Sequence, residues 1–293
     1  MVKGSEFIVL NTKPRWLDNF AILNVRLKAQ IKNLLPTETA NVLTGMVLGG
    51  SSDISIETKE NFAANGLSHL LSVSGTHLLL LASFLKLFLK GLKKRWHNIV
   101  LLILLAVYAC ICGLRPPVVR AWAMTVMLLW GDGERASKGN ILCLLCIVFV
   151  ICNPVCILDL GFQLSFGAAA GLLWLLEPLK NKLERILEFS STIRESVSVT
   201  LAAQLATLPI LVGNFYVIPV ISVFSNLLLV PILEIATILT ILGMLMSFLF
   251  FPLGQLSLNW ANWLVEQALA LASLLKEVPL GNLVVGELPL FCA

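Results

Sequence analysis

The chain has 293 residues, 58% of them hydrophobic and only 13% charged, with a mean hydropathy of +0.90. A soluble domain carries roughly 25% charged residues, so this composition excludes a water-soluble globule: the excess apolar surface needs lipid as its solvent. The net charge of +4 is a mild cationic excess that assists contact with a polyanion without establishing one.

Residues 1–7, MVKGSEF, have the character of an expression-vector scar and are set aside. Segment 8–64 reads as an amphipathic, interfacial N-terminal region. Within it, residues 15–35 place apolar positions at helical spacing between Arg15, Arg26, Lys28 and Lys32, which predicts a helix lying in the membrane interface. Pro36 ends that helix. The apolar stretch 40–50 closes at Gly49-Gly50 and is too short to cross, so it is expected to be interfacial or re-entrant.

Segment 65–276 is expected to hold the membrane spans. Apolar runs fall at 66–90, 98–113, 118–131, 140–152, 160–176, 196–213, 217–233, 235–251 and 256–275. At about 20 residues per crossing, these predict an all-α, polytopic transmembrane bundle of about eight or nine segments, some short or re-entrant and several broken at Pro209, Pro219 or Pro231. Lys90, Lys93, Lys94 and Arg95 form the densest basic cluster, which puts their loop in the cytoplasm and residue 65 outside. By alternation the charged segment 177–195 is cytoplasmic. Residues 277–293 read as a C-terminal tail leading to a missing domain.

Cys143-x2-Cys146 has metal or redox spacing, but its surroundings, ILCLLCIVFVIC, are lipid-like and offer no His or acidic partner, so these cysteines read as small hydrophobes. No metal, cofactor or catalytic residue is assigned.

Four constellations carry polar chemistry. The first is Asn65 to His77, NGLSHLLSVSGTH, read as the opening of a membrane helix. At helical spacing Asn65, His69, Ser72, Thr76 and Ser83 share a face, with His77 to one side. Such a stripe faces either a wet path or neighbouring helices bound by hydrogen bonds. A hydrolase centred on Ser74, His69 and His77 lacks an acid in the stretch to orient its base. The second is GLRPPVVRAW, where Arg115 sits at an interface and Arg120 lies deeper, to pair with Asp159, snorkel, or meet an anion in a wet channel. In the third, GFQLSFGAAAG, Gly167 and Gly171 form a small-residue face, matched by Ser198, Ala202 and Ala206, that predicts close helix packing. The fourth comprises Gln163 and Gln204, amides inside apolar runs that need partners or line a path. Aromatics near the run ends, Trp122, Trp260 and Trp263 among them, are most simply interfacial anchors.

The strings GLSHLLSVSGTH (66–77), RPPVVRAW (115–122) and GFQLSFGAAAG (161–171), preceded by LTGMVLGG (43–50), resemble the competence domain of ComEC-type DNA-uptake proteins over roughly residues 20–275. The resemblance implies a multi-pass domain of the bacterial cytoplasmic membrane that passes one strand of incoming DNA during natural transformation. It also implies OB-like and metallo-β-lactamase-like nuclease domains elsewhere in full-length members, an extracytoplasmic DNA receptor, and a cytoplasmic motor or single-strand-binding protein that pulls the strand. Thr76 departs from the family, which tends to an apolar residue there. On this reading His69, Ser72, Thr76, His77, Arg115, Arg120, Gln163 and Gln204 line the DNA path, and transport requires them to converge on a shared aqueous interior. The alternatives are an intramembrane serine/histidine hydrolase or lipid-modifying enzyme, and a small-solute transporter.

Overall fold

The computed structural model describes residues 15–71, 73, 75–91, 93–130, 135–186, 191–215, 217–219, 221–277 and 282–284. Along them run α1 (Arg15–Leu34), α2 (Thr37–Leu48), α3 (Ile56–Ala64), α4 (Gly75–Phe88), α5 (Lys94–Ile111), α6 (Pro116–Trp130), α7 (Arg135–Cys152), α8 (Leu160–Trp174), α9 (Leu176–Ile186), α10 (Ser191–Phe215), α11 (Ser222–Leu249) and α12 (Phe251–Lys276). Two 3-10 turns, Ser68–Leu71 and Pro154–Leu158, interrupt the series. Two three-residue strands, β1 (Val217–Pro219) and β2 (Asn282–Val284), pair antiparallel with Ile218 opposite Leu283.

Local chemistry sets several boundaries. Pro36, extended at φ −54° and ψ 146°, separates α1 from α2. Ser55 caps α3 by accepting the Thr58 amide, and Asp159 caps α8 by accepting the amides of Gly161 and Phe162. Two expectations are corrected. The run 66–90 does not open as a helix: Gly66 adopts φ +70°, a 3-10 turn follows, and α4 starts only at Gly75. Gly tolerates the left-handed conformation, and serine side chains compete for backbone hydrogen bonds, so this stretch favours a turn. The polar stripe computed for one continuous helix therefore does not form. From Ser222 to Leu249 the runs 217–233 and 235–251 are instead one helix, α11, which continues through Pro231. A proline removes one ladder bond, and packing of Leu229, Leu233 and Ala236 into the main core holds the helix together.

That main core joins α1, α2 and α3 to α11 and α12, with Ile31, Leu43, Met46, Phe62, Leu233 and Val265 fully buried. Two smaller apolar groups join α4, α5 and α6, one through Leu78 and Val118 and the other through Leu101 and Leu105. The α8–α10 pair packs as its small residues predict: a β-carbon on Gly171 would stand 2.3 Å from the Ala202 carbonyl oxygen and 2.7 Å from the Ala206 β-carbon.

Among the described residues, Ser191–Asn214 and Ser222–Leu249 are each long and apolar enough to cross a bilayer. The pair Leu160–Trp174 and Leu176–Arg185, bent by 53°, would be a third if it acts as one span. The apolar helices His77–Leu87, Trp96–Ile111 and Lys138–Cys152 are shorter. Phe248, Ile151 and Leu158 are 71%, 75% and 77% exposed, an outer surface suited to hydrocarbon.

Candidate functional site

The end of α2, the close of LTGMVLGG, is where distant motifs meet. A helix leaves its last carbonyls without intrahelical donors. Here the Val47 carbonyl accepts from the Tyr108 hydroxyl and, at 3.7 Å, from the Cys112 thiol. The Asn24 amide donates to the carbonyls of Leu48 at 3.0 Å and Ile111 at 2.9 Å, tying the ends of α2 and α5 together. The Lys28 ammonium donates to the Gly49 carbonyl at 2.6 Å.

Arg115 reaches the same place from α5. That helix closes with the Gly113 amide on the Cys110 carbonyl and the Leu114 amide on the Ala109 carbonyl, a Schellman arrangement. Gly113 takes φ +81°, and Leu114 takes φ +50°, the left-handed region that a leucine occupies only under strain. This turn lays the Arg115 side chain over Gly49-Gly50. A β-carbon on Gly50 would stand 3.2 Å from both guanidinium Nη atoms and equally 3.2 Å from the Lys28 Nζ. Beside them Lys32 pairs with Asp53 at 2.5 Å. The Lys32 bond holds the Asp53 carboxyl below its ordinary pKa, while burial and then the Arg115 charge lower that of Lys28.

Five residues on, Arg120 is only 4% exposed and its Nη1 donates to Asp159 Oδ2 at 3.1 Å. The carboxylate that caps α8 thus also answers the arginine buried on α6. A β-carbon on Gly161 would stand 3.0 Å from Arg120 Nη2, so the glycine opening GFQL makes room for the guanidinium. Arg120 Nε is buried without a hydrogen bond among the described residues.

The other candidates land apart. His69 is exposed in the 3-10 turn, and its ring hydrogen-bonds the Gly66 backbone. His77 is buried in the first turn of α4, where Thr76 also lies. Ser72 and Ser74 fall outside the described residues, as does the Thr76 side chain. Gln163, on α8, donates to the Ile157 carbonyl of the preceding 3-10 turn at 2.8 Å, and Gln204 is half-buried on α10. Asn65 is fully buried and knits three elements: its amide donates to the carbonyls of Asn61 and Ala272, and its oxygen accepts from Ser225 at 2.7 Å. Trp122 donates to the Leu102 carbonyl within the α4–α6 group.

Two cavities lie between helices. One, of about 140 Å³, is lined by apolar groups including Leu27, Leu48, Ile111, Met244 and Phe248, and the other by Leu80, Leu81, Phe84, Ile238 and Ile241. None of the eight candidates lines either cavity. The segment 115–120 makes two contacts, Arg115 on the end of α2 and Arg120 on the start of α8.

Lys28 is named in the sequence only as a cation of the interfacial helix, although the spacing Asn24, Lys28, Ile31, Leu35 marks one helix face that turns inward. Glu234 was missed. It is half-buried in the apolar helix α11, with no hydrogen bond or ion pair among the described residues, and an acid in LVPILEIATILT was its signal.

Comparison with known proteins is consistent with these motifs. The Competence protein family matches residues 46–293. The chain is 26% identical over 260 residues to ComE operon protein 3 of Bacillus subtilis (strain 168), covering 87% of this chain and 33% of that protein. It is also 26% identical over 262 residues to Uncharacterized protein YcaI of Escherichia coli (strain K12), covering 84% and 34% respectively. The chain therefore spans about a third of the length of these relatives. No solved structure matches it. Its apolar helices and the match over residues 46–293 together identify a membrane protein that belongs to the Competence protein family.

Proposed function

We propose that this chain is the membrane channel domain through which single-stranded DNA crosses the bacterial cytoplasmic membrane during natural transformation. The single observation behind this reading is that RPPVVRAW contacts two other motifs of the resemblance, Arg115 the end of LTGMVLGG and Arg120 the start of GFQL. A polyanion crossing hydrocarbon needs cationic or dipolar groups along its route.

The domain is read as a multi-pass unit of eight or nine segments over 65–276, with the shorter helices crossing as part of the bundle and α1 lying at the interface. Arg115 is exposed, as suits a group that meets a strand in water. His69, Ser72, Thr76, His77, Arg115, Arg120, Gln163 and Gln204 remain the proposed contacts with the strand or its supporting shell. The channel itself is passive. A cytoplasmic motor or single-strand-binding protein supplies force, an extracytoplasmic receptor delivers DNA, and OB-like and nuclease domains act on the strand before entry.

The test is transformation frequency in a naturally transformable host carrying the gene. His69→Ala and Arg120→Ala should each lower transformation at unchanged membrane abundance. Normal transformation by the stably inserted double variant contradicts the reading.

A further inference from the structure

From the geometry around Gly50 we infer that Lys28, Arg115 and the Gly49-Gly50 backbone form a binding site for one phosphodiester of the incoming strand, at the extracytoplasmic end of the domain. This deepens the proposed function and rests on it.

Two cations are held against one glycine. The Lys28 Nζ and both Nη atoms of Arg115 lie 3.2 Å from a single point, the position of a β-carbon on Gly50, so the charges are within about twice that distance of each other. Like charges this close repel, and the carbonyl end of α2 offsets that repulsion only in part. Capping α2 explains only half of the arrangement. Lys28 alone serves the Gly49 carbonyl, and among the described residues the Arg115 guanidinium makes no hydrogen bond or ion pair. The nearby carboxylate, Asp53, is already bonded to Lys32 and Ser52. The strained Leu114, φ +50°, keeps Arg115 in this position.

A phosphodiester fits the donor set. It has two non-bridging oxygens sharing one charge, which a guanidinium meets as a fork and an ammonium as a point charge. Gly50, at φ +103°, has no side chain to obstruct an approach between the cations. The next residues, Ser52 and Asp53, are polar and exposed, as water-borne nucleic acid requires. A lipid headgroup would need an acyl groove opening beside the cations. The apolar cavity lined by Leu27, Val47, Leu48 and Ile111 lies beside these helix ends, so the lipid arm of the test below separates a headgroup from a strand phosphate. The basic loop at Lys90–Arg95 lies at the opposite end of α5 from Arg115, which puts the pair on the outer side when that loop is cytoplasmic.

The test uses the full chain in nanodiscs and a fluorescent oligothymidylate. Arg115→Gln and Lys28→Gln should each weaken binding by about fivefold to tenfold and lower the salt slope by about 0.7. Gly50→Ala should weaken it without changing charge, and Lys28→Arg should retain it. If the wild type binds and the charge variants bind equally well with unchanged slopes, the site assignment is wrong while the strand reading stands. If the wild type binds no oligonucleotide, both fall. If the variants lose only co-purifying anionic lipid, measured by native mass spectrometry, the site belongs to a headgroup and the inference is overturned.

Discussion

Arg120 on α6 and Asp159 at the start of α8 meet at 3.1 Å, the arginine buried and the aspartate half-exposed, and the same carboxylate caps α8. One acid therefore does two jobs, and substitutions separate them. Asp159→Ala should lower unfolding stability by about 2–3 kcal/mol, roughly 1 kcal/mol from the lost cap and the rest from a guanidinium left without its carboxylate. The second part is below the value for a fully buried pair because water reaches Asp159. Asp159→Asn should keep the cap and lose only the charge. Equal losses in the two variants, measured by denaturant unfolding in detergent, would refute the dual role.

The α8–α10 contact makes a sharper steric prediction. Gly171→Ala places a methyl 2.3 Å from the Ala202 carbonyl oxygen, so the helices must part, at a cost of about 1–3 kcal/mol or more. Gly213→Ala, on the same α10, meets nothing within 4 Å and should be neutral or stabilising by up to about 1 kcal/mol. Thermal unfolding of the two variants side by side gives the answer. If Gly213→Ala were the worse of the pair, the packing described here would be wrong.

The Lys28 ammonium is lowered by burial and by Arg115, which gives a pH dependence of definite sign. Between the lowered folded value and the ordinary lysine value near 10.4, the unfolded chain binds the extra proton, so stability rises with pH in that window. Oligonucleotide affinity moves the other way, because one cation of the proposed site discharges. The groups facing Lys28 are Arg115, Lys32, Asp53 and Cys112. Lys28→Arg should flatten the affinity profile. Affinity independent of alkaline pH in the wild type would count against Lys28 as a contact.

The orientation is open to chemical labelling. In a cysteine-free background, Ser52→Cys should react with a membrane-impermeant thiol reagent applied outside intact cells. Lys90→Cys should react only after permeabilisation. The reverse pattern would invert the topology and move the cation pair to the cytoplasmic side.

What could be read from the sequence was what local rules determine. The Gly167–Gly171 and Ala202–Ala206 faces were legible because small residues at four-residue spacing can serve close helix contact. The Arg120–Asp159 pair was among the expectations because a buried guanidinium calls for an acid. The start of α4 was misread because periodicity continued through a segment that Gly66 and the serines break. Pro231 was overweighted, since tertiary packing carries α11 past it. The contact of Arg115 with Gly49-Gly50 was invisible: it depends on two successive left-handed residues and joins positions some 65 apart in the chain. Gln163 was expected on a path, but it bonds locally to the Ile157 carbonyl.

Passage of a single strand is the central claim, and proteoliposomes test it most directly. The purified chain is reconstituted, a labelled oligonucleotide is added outside under an imposed membrane potential, and the fraction protected from added nuclease is measured. The account predicts protection of a single strand, exclusion of the same sequence as a duplex, and a fall in protection with Arg120→Ala. Equal exclusion of both forms by correctly inserted protein, or equal entry of both, would contradict it.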